Sequence, residues 1–201
     1  AQWGAKVVVV DNFCNSAPES IRRVEEITQK TIPCLELDVR DQAGLEEVMT
    51  EHKPVAVIHF AGLKAVGESV EKPQLYFEVN FGSTSALCGA MQNCGVKNLI
   101  FSSSATVYGD LNQPPLTETM STPMDRVANP YGLSKLVIEQ MLKWQQRANS
   151  DWSVTLLRYF NPLLHRGYQH SLFHPIQRPS QIDGCRPGCN KRFIRDSNTA
   201  V

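Results

Sequence analysis

Two hydrophobic patterns alternate along the first 160 residues. Short apolar runs, rich in β-branched residues, are typical of strands buried on both faces of a sheet. They predict five strands, at residues 7–10, 34–38, 55–60, 98–102 and 154–159. Between these runs, apolar residues recur at the spacing of amphipathic helices. Strands and helices are therefore expected to alternate along the chain.

Four helices follow from that spacing and from local start and stop signals. Residues 16–19, Ser-Ala-Pro-Glu, have the form of a capping box, and Asp41 is a candidate cap for the second helix. A long helix is expected over about 73–93, where Gly95 suits its C-terminal stop, and another over about 130–148. Repeated strand–helix–strand units of this length predict an α/β fold with a doubly wound parallel sheet.

Charge and composition exclude several classes of function. The chain has 20 basic and 20 acidic residues, so no basic surface is expected for nucleic acid or an anionic membrane. No apolar run approaches the roughly 20 residues that span a bilayer. The first residues lack the basic and apolar regions of a signal peptide, and the six cysteines form no disulfide framework. These features predict a cytoplasmic protein with reduced thiols.

The character of the sequence changes after residue 162. Residues 163–201 contain six basic and two acidic residues and show neither helical nor strand periodicity. Such a stretch buries too little apolar surface to offset the entropy lost on ordering. We therefore expect one domain over residues 1–162 and a divergent, disordered tail over 163–201. The histidines and cysteines of this tail fit no common zinc spacing, so no metal site is expected.

Ligands of open α/β sheets bind beyond the carboxyl ends of the strands. The predicted strands end in polar or glycine-containing segments at 11–12, 38–39, 61–64, 102–104 and 160–161. Asp11, at the first of these ends, could accept hydrogen bonds from the ribose hydroxyls of a dinucleotide and would repel a 2′-phosphate. An ordinary turn or cap aspartate is an equal alternative at this position.

Tyr131 and Lys135 lie four residues apart at the start of a predicted helix, and so on one face, one turn apart. A tyrosine hydroxyl is a poor base near neutrality unless a nearby cation stabilises the phenolate. Lys135 could supply that cation and also bind a hydroxylated ligand. Taken alone, the spacing favours an ordinary solvated helix face. His59, in the third strand, is expected to be a hydrogen-bonded strand residue rather than a catalyst.

Four segments, in order along the chain, carry motifs that change this assessment. They are HFAGLKAVGES at 59–69, FSSSATVYGD at 101–110, NPYGLSK at 129–135 and LRYFNP at 157–162. The set resembles the UDP-glucose 4-epimerases, a family within the extended short-chain dehydrogenases/reductases, which implies a Rossmann-like fold. Related sugar-nucleotide 4,6-dehydratases have an Asp-Glu pair where this chain has Ala105-Thr106, so a dehydratase is not expected.

The resemblance implies a reaction and a catalytic set. The family interconverts UDP-galactose and UDP-glucose through a transient 4-keto sugar, with hydride transfer to and from NAD. By analogy, Tyr131 takes the proton from the sugar 4-hydroxyl, and Ser104 hydrogen-bonds the 4-oxygen. Lys135 assists the tyrosine and binds the nicotinamide ribose. The resemblance also suggests a homodimer.

The same resemblance assigns the binding residues. Those expected to line NAD are Asp11, Asn12, Phe13, Cys14, Asn15, Ser16, Asp38, Val39, Phe60, Ala61, Gly62, Leu63, Lys64, Asn80, Tyr131, Lys135 and Phe160. Those expected to contact the UDP-sugar are Lys64, Ser104, Tyr131 and Asn161. No residue is assigned to a metal.

Three departures from the family pattern accompany these matches. The family's first strand and glycine-rich phosphate turn would precede residue 1, and the smaller domain that clamps UDP would follow residue 162. The segment from Asn80 to Thr84 carries its glycine at Gly82, one position earlier than usual. This chain by itself is therefore expected to bind NAD weakly and to turn over poorly. The alternatives are a non-catalytic fragment and an epimerase for another nucleotide sugar.

Overall fold

The computed structural model describes residues 5–110 and 113–160. Five strands lie in this part of the chain, and every strand pair is parallel. They are β1 (Val9–Asp11), β2 (Cys34–Glu36), β3 (Val57–His59), β4 (Asn98–Ser104) and β5 (Ser153–Tyr159). Strand β1 pairs with β2, and β3, β4 and β5 form a second sheet in that order. The predicted parallel α/β fold is confirmed. The tail predicted at 163–201 lies outside the described residues.

Six α-helices connect or follow these strands. They are α1 (Glu19–Thr28), α2 (Gln42–His52), α3 (Val66–Glu71), α4 (Pro73–Tyr76), α5 (Gly82–Asn93) and α6 (Pro130–Ala148). A π-helical turn (Phe77–Phe81) lies between α4 and α5, and short 3-10 turns lie at Ala105–Tyr108 and Met124–Arg126. None of the helices that the structure describes is long and apolar enough to cross a membrane.

One hydrophobic core supports both sheets. Helices α2, α5 and α6 contribute to a buried cluster around Leu87 and Phe101. Val10 of β1 and Val57 of β3 both pack against this cluster, so the same helices hold the two sheets in one unit. Over residues 5–110 and 113–160 no strand joins β1 to β3. Ile58 follows Val57 on the opposite face of β3 and is exposed.

The N-terminal cap predicted from the sequence is present at α2 but not at α1. The predicted cap of α2 is confirmed, because Asp41 Oδ1 accepts a hydrogen bond from Gly44 N at 3.1 Å. The capping box predicted at residues 16–19 is wrong. Helix α1 begins at Glu19 and its N-cap, Pro18, makes no side-chain hydrogen bond. The carboxylate of Glu19 instead pairs with arginines one turn along the helix, including Arg23 at 3.0 Å.

The long helix predicted over 73–93 is present but is interrupted by the π turn. The carbonyl of Asn80 accepts hydrogen bonds from Ser83 Oγ at 3.1 Å and from Thr84 Oγ1 at 2.9 Å. These side-chain hydroxyls compete with backbone donors for the carbonyl, and π turns of this kind often mark functional sites. The shifted glycine, Gly82, has an ordinary helical φ of −59°, so it leaves the start of α5 undisturbed.

His59 is a buried, hydrogen-bonded strand residue, as the sequence predicts. Its Nε2 lies 3.0 Å from Thr84 Oγ1. The hydroxyl proton of Thr84 is donated to the Asn80 carbonyl, so His59 Nε2 is the donor and carries the proton of the neutral ring. Burial, together with the nearby charge of Lys135, lowers the pKa of His59 to about 3. The ring is therefore neutral in the folded chain at physiological pH.

Replacing His59 should reduce the acid sensitivity of the fold. The folded chain keeps His59 neutral down to a pKa of about 3, whereas the unfolded chain protonates it near its ordinary value of 6.5. The folded state therefore binds fewer protons below pH 6.5, and stability falls as the pH drops through that window. At pH 5 this contribution is about 2 kcal/mol. In urea unfolding at pH 7 and pH 5, His59→Gln should lose less stability than the native chain by about that amount.

His52→Gln is the matched control, since it removes a histidine from the end of α2. The His52→Gln chain should lose as much unfolding free energy between pH 7 and pH 5 as the native chain loses. Equal acid losses in the native and His59→Gln chains would contradict a buried neutral His59.

Candidate active site

The first turn of α6 is positioned by its cap and by a close approach. Asn129 Oδ1 accepts a hydrogen bond from Gly132 N at 2.8 Å, and Pro130 takes the first helical position, where no amide proton is required. A Cβ at Gly132 would lie 2.8 Å from Val127 Cγ1 and 3.0 Å from Thr106 Oγ1. Only glycine therefore allows α6 to begin against the turn that follows β4.

Lys135 is the buried cation of this region. It is 5% exposed, and its Nζ donates a hydrogen bond to the Ser102 carbonyl at 2.9 Å. The same nitrogen lies 4.8 Å from the centre of the Phe101 ring and 6.0 Å from that of Tyr131. Burial lowers the pKa of Lys135 to about 8. The structure therefore brings the lysine to the tyrosine, one turn apart on one face of α6.

Ser104 ends β4 beside the start of α6. Its Oγ accepts hydrogen bonds from the backbone N of Thr106 at 3.2 Å and from Thr106 Oγ1 at 2.9 Å. Both contacts use the serine as an acceptor, so its hydroxyl proton remains to be donated. Ser104 is thereby prepared as a hydrogen-bond donor at the carboxyl end of the sheet.

The loop after β3 is held by the side chain of Asn80. Asn80 Oδ1 accepts from Leu63 N at 2.7 Å, and Nδ2 donates to Leu63 O and to Ser134 Oγ, each at 3.1 Å. Gly62 has a φ of +147°, and a Cβ there would lie 2.8 Å from Asn80 Oδ1. Both amide protons of Asn80 are thus used within the protein. Its contribution to a cofactor site stays a prediction.

Polar side chains also organise the ends of β1 and β2. Asp11 Oδ1 accepts from Phe13 N at 2.8 Å, which shapes the turn after β1. Asn12 Nδ2 donates to Asp38 Oδ2 at 3.2 Å, and Arg40 donates to both oxygens of Asp38. These hydrogen bonds, chiefly those from Arg40, lower the pKa of Asp38 to about 2. The Asp38 carboxylate is therefore charged at any physiological pH.

The predicted binding residues lie at one edge of the two sheets. The turn after β1 meets the loop after β3, where Asn15 Nδ2 donates to Gly62 O at 3.3 Å. Phe60 and Phe160 follow β3 and β5 and are exposed, and the Phe160 ring stacks on Tyr108 at 6.4 Å between ring centroids. The other predicted residues described at this edge are Cys14, Ser16, Val39, Ala61 and Lys64. Asn161, predicted for the sugar, lies outside the described residues.

Sequence reasoning missed several residues that support the site. Tyr76 is fully buried, its ring meets that of Tyr131 edge-on at 6.5 Å, and its hydroxyl lies 2.8 Å from the Ala65 carbonyl. Burial, assisted by Glu68, raises the pKa of Tyr76 to about 12, so this phenol stays protonated. Arg40, Glu139 and Arg158 were also missed. Glu139 carried a local signal, because it follows Tyr131 and Lys135 at the same helical interval, and Arg158 lies within the LRYFNP segment.

Comparison with known proteins supports one family. The profile of the NAD dependent epimerase/dehydratase family matches residues 1–178. The UDP-glucose 4-epimerase of Mus musculus is 50% identical over 166 residues, which cover 80% of this chain and 47% of the relative. The chain therefore spans about half the length of the curated relatives that it matches.

Solved structures agree with the sequence comparison. UDP-glucose 4-epimerase from Bifidobacterium longum, in complex with NAD+ and UDP, aligns with a TM-score of 0.77 and 49% identity over 80% of this chain and 47% of its own. The enzyme from Stenotrophomonas maltophila, with bound NAD and formylated UDP-arabinopyranose, aligns with a TM-score of 0.80 and 42% identity over 90% and 53%. The parallel fold, the assembled motifs and the profile match lead to one conclusion: the chain belongs to the NAD dependent epimerase/dehydratase family.

Proposed function

We propose that this chain is the cofactor-binding and catalytic part of an NAD-dependent UDP-glucose 4-epimerase, an isomerase that interconverts UDP-galactose and UDP-glucose. The observation that carries the proposal is the packing of the start of α6, which carries Tyr131 and Lys135, against the end of β4, which carries Ser104. Lys135 Nζ is bonded to the strand two residues before Ser104 and lies 6.0 Å from the Tyr131 ring. Ala105-Thr106 follows, without the acidic pair that a dehydratase requires.

The described residues suit a dinucleotide. The Asp11 carboxylate can accept about four hydrogen bonds, and the turn after β1 uses one of them. The remaining capacity fits ribose hydroxyls, and the charge disfavours a 2′-phosphate. Gly62 lets the loop after β3 pass close to Asn80 and Lys135, where a larger residue would fill the space. NAD, when bound, supplies the redox step by accepting a hydride from the sugar and returning it.

Tyr131, Lys135 and Ser104 divide the acid–base work. Tyr131 takes the proton of the sugar 4-hydroxyl as the carbonyl forms, and returns it when the opposite face is reduced. Lys135 stabilises the phenolate through its charge, which is poorly screened because the ammonium is buried. Ser104, whose oxygen accepts from Thr106, donates its own proton to the 4-oxygen and holds it in place.

A homodimer in the cytoplasm completes the proposal. The support is the family resemblance together with a sequence that offers no disulfide framework. Light scattering of the purified protein measures the assembly, and a monomer at micromolar concentration would remove this part of the proposal.

Removing the Tyr131 hydroxyl should slow turnover strongly while the chain still binds NAD. Because the chain matches only about half of its relatives, the test grafts residues 5–160 in place of the matching part of a full-length UDP-glucose 4-epimerase. The graft should interconvert UDP-galactose and UDP-glucose. Tyr131→Phe removes only the hydroxyl and should lower kcat by about 10²- to 10⁴-fold, with NAD affinity retained. A folded graft that binds NAD but converts neither sugar would contradict the proposed function.

Replacing Asp11 should change the choice of cofactor. Asp11→Asn keeps an oxygen for the Phe13 amide but removes the charge that repels a 2′-phosphate. We expect the ratio of NADP to NAD affinity in the graft to rise about tenfold, which corresponds to about 1.4 kcal/mol. Calorimetric titration with each nucleotide measures it. Asp41→Asn, the same change at the cap of α2, should leave the ratio unaltered; an Asp11→Asn ratio equal to that control would show that Asp11 is only a turn residue.

Replacing Lys135 should stabilise the fold at neutral pH. Burial lowers the pKa of Lys135 from 10.5 to about 8, so its charge is a penalty on folding below pH 8 that disappears as the pH rises toward 10.5. Lys135→Met removes the penalty and should raise the free energy of unfolding by up to about 3 kcal/mol at pH 7. Urea unfolding at pH 7, 9 and 10.5 should show this gain shrinking with pH. Lys6→Met, at an exposed lysine, is the control; a loss of stability in Lys135→Met would show that the ammonium stabilises the fold.

A further inference from the structure

Glu139 lies in the interior of the domain, two helical turns after Tyr131 on α6. It is 0% exposed, so its carboxylate must be hydrogen-bonded within the protein. Two residues donate hydrogen bonds to it, and a third places a cation nearby. Ser103 Oγ donates at 2.6 Å, Arg158 donates through Nε at 3.0 Å and Nη2 at 2.7 Å, and Lys143 Nζ lies 3.9 Å away.

The contact of Glu139 with Ser103, here called the β4 arm, lies beside Ser104. Ser103 directly precedes Ser104 in β4, and its side chain bonds Glu139 of α6. Lys135 bonds the carbonyl of Ser102, one residue earlier. Two successive residues of α6 on one face, Lys135 and Glu139, therefore bind two successive residues of β4, and the last residue of the strand is Ser104.

The contact of Glu139 with Arg158 leads, through Tyr108, to Phe160. The Arg158 guanidinium, 12% exposed on the side chain, lies 4.8 Å from the centre of the Tyr108 ring. Tyr108 in turn stacks on Phe160, which is predicted to contact the cofactor. Hydrogen bonding to Glu139 raises the pKa of Arg158, so the guanidinium stays charged. A single buried carboxylate thus reaches both sides of the candidate site.

We propose that Glu139 is a positioning residue: it sets the location of Ser104 and Phe160 relative to Tyr131 and Lys135 by holding Ser103 and Arg158. This role rests on the proposed function, because it concerns the reacting groups of that function. Glu139 itself contacts no substrate or cofactor atom in this role. A buried ion pair adds little net stability over apolar side chains of similar volume, whereas its fork of hydrogen bonds specifies geometry. An apolar pair in place of Glu139 and Arg158 could therefore keep the stability but not the positions of the neighbouring groups.

Two variants separate positioning from stability. Glu139→Gln leaves the charge of Arg158 buried without a carboxylate and should lower the unfolding midpoint in urea strongly. Glu139→Leu combined with Arg158→Met removes both charges and keeps an apolar filling, so the midpoint should return close to the native one. If Glu139 had only a structural role, the double variant would regain its other native properties together with its stability.

The positioning readout is the pKa of Lys135, which needs neither NAD nor a sugar. It is followed by the pH dependence of the lysine Cε resonance, assigned with Lys135→Arg. In the double variant the end of β4 is no longer held, the ammonium gains water, and its pKa should rise from about 8 toward 10.5. We expect a rise of about half a unit or more. The direct effects of the two removed charges on this pKa oppose each other.

A second readout uses the grafted enzyme described above. The double variant should lower kcat about tenfold, while KM changes less than about twofold, because misplaced groups act on the transition state. The control is Glu19→Gln with Arg23→Gln, which removes an exposed pair of the same charges on α1 and should change neither readout.

Each outcome decides the proposal. A double variant with native stability, native Lys135 titration and native kcat would reduce Glu139 to a structural residue. If the double variant does not fold, Ser103→Ala removes the β4 arm alone and leaves the ion pair, and an unshifted Lys135 pKa there would overturn positioning. An inactive graft with a shifted Lys135 pKa in the variants would count against the proposed function and leave the positioning intact.

Discussion

The described site depends on one buried ammonium group. Lys135 donates to the Ser102 carbonyl, and this hydrogen bond joins α6 to the end of β4 at the level of Ser104. Burying the charge costs stability, as the lowered pKa shows. The Phe101 ring and the carbonyl offset part of that cost. Because the group is buried, its charge is little screened from the Tyr131 ring, whose centre lies 6.0 Å away.

One face of α6 carries three side chains of the candidate site. Tyr131, Lys135 and Glu139 follow at intervals of one turn, and each meets a different partner. The first is half-buried, the second binds backbone, and the third binds two side chains. The Asn129 cap and Gly132 set where this face begins, because they define the first turn and its distance from Thr106. A helix shifted by one residue would misplace all three.

The cofactor side is assembled by short polar links between loops. Asn15 joins the turn after β1 to the loop after β3, and Asn80 joins that loop to α6. The two sheets do not pair within the described residues, so these links and the shared helices α2 and α5 keep the loop ends together. The π turn that carries Asn80 serves the same purpose, because it allows the amide to face the loop.

Local patterns in the sequence determined the strands, the bounds of α6, the cap at Asp41 and the motifs that indicate the family. Such signals lie within a few residues of each other, so they can be read without the fold. The capping box at 16–19 failed because α1 begins at Glu19, with Pro18 rather than Ser16 as its N-cap. The π turn was missed because the side-chain hydrogen bonds to the Asn80 carbonyl lie in a segment whose residue pattern is otherwise helical. The links of Glu139 to Ser103 and Arg158 span 36 and 19 residues. Only the tertiary structure decided these contacts. A buried carboxylate must be hydrogen-bonded, and packing determines which donors lie within its reach.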